Sequence, residues 1–165
     1  MKNIMEDIFL DKSLDNGQII NTMSEVFSGL TTFHWDFNDN EPEKIDFNNP
    51  NHIFFNTKLN FDVKEFSFNI SIYRTPNTHY EERQFYLSKI FSDKYNIKTF
   101  ASFTKPDDPD DPDDPYYSIV FEKGKTYLAN DIEFYNSNKT GIIKILEEYD
   151  LPSLQFDHKA RYIKK

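Results

Sequence analysis

Four histidines, His34, His52, His79 and His158, are the side chains best suited to proton transfer or metal binding near neutral pH. None stands three to five residues from another, so the chain has no local two-histidine metal clasp. Two of them lie near carboxylates. His34-Trp35-Asp36 sets a His and an Asp two apart on one face of a strand, and His79-Tyr80-Glu81-Glu82 sets a His near two acids at a helix start. Brought together by other elements, His34, Asp36, His79 and Glu82 would make a dispersed acid–base site of the hydrolase or nuclease kind. A histidine on the polar face of a strand is more often simply solvated, and no catalytic or metal-ligating residue is assigned.

The second concentration of chemistry is the tract 106–115, PDDPDDPDDP. Proline at every third position matches the three residues per turn of polyproline II, which aligns Pro106, Pro109, Pro112 and Pro115 on one edge. Asp107, Asp108, Asp110, Asp111, Asp113 and Asp114 fill the other edges of a stiff rod about 30 Å long. Such a tract cannot join a sheet, because proline donates no hydrogen bond and six like charges repel. It suits a claw for a basic surface, a calcium site or a mimic of phosphate spacing; the plain alternative is a solvated loop. Calcium fits worst, since the tract lacks the turn glycine and bidentate glutamate of a hand-type loop. Tyr116 and Tyr117 follow directly, and tyrosine beside acid is common at interfaces. The expected partner-binding residues are therefore the six aspartates with Tyr116 and Tyr117, followed by Glu81 and Glu82.

Other chemistries are narrowed by what the chain lacks. It has no cysteine, which removes disulfides, thiolate zinc sites and a Cys nucleophile and suits a reducing compartment. With four glycines and no G-x-S-x-G, P-loop or G-x-G-x-x-G, neither a nucleophile elbow nor a phosphate cradle is expected, and no cofactor is implied. The formal net charge is −9, and residues 1–158 carry −13 once the four positives of KARYIKK (159–165) are set aside. A field of that sign repels nucleic acid and anionic lipid and attracts cationic partners. The opening MKNIMEDIFLDKS is broken by Glu6, Asp7 and Asp11, unlike a signal peptide, and no apolar run has membrane-spanning length. A cytoplasmic location is the expectation.

Apolar spacing supplies the elements that must position these groups. Ile19, Ile20, Met23, Val26 and Phe27 recur at helical intervals over 16–28, with Asn16 as a cap and Gly29 as a stop. Period two follows over 31–37, with Phe33, Trp35 and Phe37 on one side and Thr32, His34 and Asp36 on the other, a strand with one buried face. Residues 38–51 read as loop. Strands around 53–63 and 66–72 form a hairpin, 78–94 a helix capped by Asn77 or Thr78, and 97–103, 116–122 and 126–132 further strands. A last helix is expected over 140–149, ended by Pro152. The order α-βββ-α-βββ-α predicts one α+β domain over 1–158, a largely antiparallel sheet with helices on one face, and a short basic tail at 159–165.

The stretch 116–135, YYSIVFEKGKTYLANDIEFY, resembles the strand-turn-strand and acidic end common in immunity proteins of bacterial toxin systems. The small, acidic, Cys-free α+β character is similar as well. The resemblance implies a partner that neutralises a cognate toxin, often a basic nuclease, through acidic contacts, and it assigns no individual residue. Charge and resemblance converge on a non-enzymatic acidic binding protein or inhibitor that engages a protein with a basic surface. Its rivals are the dispersed His/carboxylate enzyme and a structural or adaptor subunit that makes contact through apolar surface.

Overall fold

The computed structural model describes residues 5–104, 117–135 and 141–163. Chain order is β1 (Met5–Leu10), α1 (Asn16–Val26), β2 (Thr31–His34), β3 (His52–Leu59), β4 (Phe68–Tyr73) and α2 (Tyr80–Tyr95). It continues with β5 (Thr99–Ser102), β6 (Tyr117–Glu122), β7 (Lys125–Asn130), α3 (Ile132–Tyr135) and β8 (Lys144–Glu148). The strands form one eight-stranded sheet in the order β2-β3-β4-β1-β5-β6-β7-β8. All neighbours are antiparallel except β2 and β3, which run parallel. The architecture is α+β, as the spacing predicts.

Period-two alternation sorts the side chains of each strand between the two faces. Ile8 and Leu10 of β1, Ile53 and Phe55 of β3, and Phe68, Ile70 and Ile72 of β4 meet Ile19 and Met23 of α1, Phe27 at its C-cap, and Leu87 and Phe91 of α2. Helix α1 starts with a capping box, in which Asp15 accepts from the Gln18 amide at 2.8 Å and the Gln18 side chain returns to the Asp15 amide at 2.9 Å. The cap is thus Asp15 rather than Asn16, which is the first helical residue. The opposite face is filled at its centre by Phe66, Phe100, Val120, Ala129, Phe134 and Ile143, so α3 lies across the sheet from α1 and α2.

Two elements correct the sequence reading. Strand β1 was not anticipated, because its inward side carries a carboxylate: Glu6 is fully buried in line with Ile8 and Leu10. The helix expected over 140–149 is instead β8, which pairs with β7 through Ala129–Ile145 and Leu128–Glu147 with a bulge between them. Its apolar residues do recur at helical spacing, but the edge of β7 offers hydrogen bonds that a short isolated helix cannot match. Gly141 precedes it with φ at +70°, and a Cβ there would stand 2.6 Å from Val63 Cα. Gly141→Ala should therefore cost roughly 1–3 kcal/mol in a denaturant titration, through left-handed backbone strain and the clash with that segment.

The segment expected as a basic tail is built into the body. Phe156 and Tyr162 bridge across a turn whose Ala160 is fully buried. Arg83 Nε donates to the Ala160 carbonyl at 3.0 Å, and the Gly29 amide donates to the His158 carbonyl at 2.8 Å. Lys159 and Arg161 thereby acquire fixed positions, while Lys164 and Lys165 lie outside the described residues.

Candidate partner-binding face

Strand β2 decides the character of the site. Its parallel register sets Thr32 beside Ile53 and His34 beside Phe55, which places Thr32 and His34 on the helix side of the sheet. Phe33 pairs with Phe54 on the other side. The strand expected over 31–37 stops at His34, and the apolar side of its alternation is not the one that the large helices cover. Buried Thr32 looks toward the helices, whereas Phe33 and Trp35 stay partly accessible and Phe37 is 50% exposed.

On that open side the rings collect. Phe54 stacks on Tyr73 with centroids 4.9 Å apart, and Trp35 meets Phe54 edge-on at 5.0 Å. Phe37 touches Trp35, Phe54 and Tyr73 at 4.9, 5.7 and 5.4 Å. Phe47, 40% exposed, closes the group at 5.9 Å from Trp35. Phe37 and Phe47 come from the loop between β2 and β3, and the chain there is pinned rather than loosely draped. The Trp35 indole donates to the Asp39 carbonyl at 3.4 Å, Asp36 caps the Asn38 amide, and Asp46 caps the Asn48 amide. Arg74 donates to the carbonyls of Phe47 and Asn49, and its guanidinium lies 5.2 Å over the Phe47 ring. Residues 36–48 carry five carboxylates (Asp36, Asp39, Glu41, Glu43, Asp46) against one lysine, so the aromatic group has an acidic rim.

Polar groups continue the face toward the middle of the sheet. Asn56 and Asp7 flank Ser71 in the β3-β4-β1 register. Ser71 Oγ donates to Asp7 Oδ1 at 2.6 Å, and burial pushes the nearby Tyr73 phenol above its ordinary range against a hydrogen bond from Asn56. Tyr73 thus remains neutral across the physiological range, with its ring stacked in the cluster.

The residues expected from sequence are placed as follows. Asp107, Asp108, Asp110, Asp111, Asp113, Asp114 and Tyr116 lie outside the described residues. Tyr117 opens β6, half-buried, and its carbonyl accepts from the Phe103 amide at 3.0 Å. Glu81 sits in the first turn of α2 and accepts a long hydrogen bond from the Thr104 amide at 3.4 Å; burial pushes its carboxyl above the ordinary range. Glu82, next in that turn, is likewise half-buried. The fold therefore brings Glu81 to Thr104, two residues ahead of the tract, and Tyr117 stands two residues after it.

The histidines have separate partners. His34 packs on Phe55 at 5.3 Å, His79 stacks on Tyr162 at 4.4 Å, and His52 Nδ1 accepts from the Asp46 amide at 3.0 Å. No hydrogen bond joins His34 or His79 to Asp36 or Glu82. Among the described residues no group of three or more His, Asp or Glu side chains is arranged to hold a metal, and no helix is long and apolar enough to cross a membrane. The chain matches no known protein family, no curated protein and no solved structure. Sequence reasoning missed the Trp35 cluster as a site, although its signal was present: three alternating aromatics running straight into an acidic loop.

Proposed function

We propose that this chain is a non-catalytic binding protein that captures a partner with a basic surface on its open aromatic face. One observation carries the reading: five mutually packed rings, Trp35, Phe37, Phe47, Phe54 and Tyr73, two of them substantially exposed beside a loop of five carboxylates. Aromatic side chains and arginine dominate interface hot spots, because they bury large area with few rotamers to freeze. The acids around them steer a cationic partner and set its orientation more than they add affinity. In its finer form the proposal is an inhibitor that acts in the bacterial cytoplasm and neutralises a cognate toxin domain, as immunity proteins do. The Pro-Asp tract, with Glu81 and Tyr117 beside its ends, would supply a second acidic contact.

The test is a binding titration against a partner captured from the source cells and purified. Phe37→Ser with Phe47→Ser should weaken the complex by about 2 kcal/mol or more while the protein still folds, since both rings lie at the surface end of the cluster. Association should slow as salt rises toward a Debye length of about 8 Å. Deleting 107–114 should spare folding and weaken binding further. A complex insensitive to the two rings and to salt would overturn the proposal.

A further inference from the structure

A cleft of about 560 Å³ is lined by Arg74, Lys159 and Arg161 over an apolar floor of Leu30, Pro50 and Pro76. Among the described residues no carboxylate lines it, in a chain whose net charge is −9. Three like charges around one concavity repel, and the surrounding acidity makes their gathering here all the more specific.

Each of the three keeps donors that no group within the chain uses. Arg74 spends Nε on the His52 carbonyl and Nη2 on the carbonyls of Phe47 and Asn49, which leaves Nη1 without a partner. Arg161 spends Nε on Asp157 Oδ2 at 2.8 Å and keeps both Nη groups. The Lys159 ammonium has neither an ion pair nor a hydrogen bond among the described residues. Asp157 offsets one of the three positive charges, so the cleft is left with a surplus of two.

The positions are prepared rather than incidental. Lys159 and Arg161 flank the buried Ala160, whose φ of +63° turns the chain and whose carbonyl is held by Arg83. Gly29 lets this turn close on α1: a Cβ there would stand 2.8 Å from Lys159 Cγ and 2.5 Å from His158 Cδ2. Arg74 is likewise locked by three backbone carbonyls, in a left-handed conformation at φ +74°.

We infer that this cleft binds a small phosphate monoester. The dianion matches the surplus charge, and the paired Nη groups of Arg161, with Arg74 Nη1 and the Lys159 ammonium, supply donors for its oxygens. The volume falls within the roughly 300–1,000 Å³ of small-molecule sites, which leaves room for an organic body on Leu30, Pro50 and Pro76. This inference does not rest on the partner-binding reading.

Calorimetric titration of the full chain tests it with inorganic phosphate, ribose 5-phosphate and adenosine 5′-monophosphate, against ribose and adenosine. The two monoesters should bind with Kd below about 1 mM, tighter than inorganic phosphate, and the parent compounds should not bind. Lys159→Gln with Arg161→Gln should weaken the monoesters at least tenfold, while Lys89→Gln on the exposed side of α2 should leave them unchanged. If the double variant fails to fold, Lys159→Gln alone serves, because its ammonium holds nothing within the chain; a loss of threefold or more is expected. Absence of binding at millimolar monoester, equal binding by the Lys159 variants, or capture of oligonucleotides but not monoesters would each overturn the assignment.

Discussion

Replacing Arg83 by methionine should lower the stability of this protein by about 3–5 kcal/mol, more than any exposed substitution. Arg83 and Glu6 are both fully buried, with Nη1 and Oε1 2.5 Å apart. The guanidinium also donates to the carbonyls of Pro76, Thr78 and Ala160, and the carboxylate accepts from Thr75 Oγ1. One side chain thus ties β1, the turn before α2, α2 itself and the C-terminal segment. Methionine would fill much of the volume and leave the buried Glu6 carboxylate supported only by Thr75 and a backbone hydrogen bond. Removing both charges, as in Glu6→Leu with Arg83→Met, should recover much of the loss, because two buried charges also lose their hydration.

The same pair sets a pH dependence in the variant. Burial already pushes the Glu6 carboxyl above its ordinary range, while Arg83 and Thr75 hold it down. Without Arg83 the folded-state pKa rises further. A carboxyl whose folded pKa exceeds its unfolded one retains stability at low pH and loses it as pH climbs through the folded value. The deficit of Arg83→Met relative to the parent should therefore be larger at neutral than at acidic pH in denaturant titrations. An equal deficit at both, or one under about 1 kcal/mol, would sink the account.

Phe100→Ala should cost a similar amount, about 3–5 kcal/mol. Phe100 is fully buried at the centre of the opposite face, stacked on Phe9 at 4.6 Å and edge-on to Phe66 and Phe134 at 4.9 and 5.0 Å. Its three neighbours come from β1, the β3–β4 connection and α3, and β5 is held by strands on both sides, so the cavity cannot readily close. Hydrogen exchange should rise first in α3 and the β3–β4 connection. Binding through Trp35, Phe37 and Phe47 should survive below the lowered melting temperature, because Phe100 touches none of those rings. Loss of stability and loss of binding would then separate in one variant. Melting temperature unchanged within a degree or two would contradict the packing argument.

The elements most legible in the sequence were those whose partners are near in the chain. The hairpin of β3 and β4 follows from alternation on both sides of a short connection, and α2 (Tyr80–Tyr95) lies close to the interval its apolar spacing marks. The β6–β7 turn at Gly124, with φ at +76°, sits where a glycine between two alternating runs must place it. Illegible elements depended on distant chain. A charge at position 6 argues against a central strand until Arg83, 77 residues on, arrives to pair with it. Residues 144–148 carry apolar spacing that suits a helix, and become a strand because β7 has an edge to fill.

The candidate site divides along the same line. By itself the sequence determined that Phe33, Trp35 and Phe37 share a side, that an acidic loop follows them, and that Lys159 and Arg161 stand two apart. Which side of the sheet α1 and α2 would cover was settled only in the tertiary structure, through the parallel register of β2 on β3. The reason is physical: period two says which residues share a face, and both faces of an isolated strand are equivalent until a helix docks on one. Docking here fell on Thr32 and His34, which left the aromatics accessible. It likewise took a buried arginine to fold Lys159 and Arg161 back, turning part of an expected tail into the wall of a cleft.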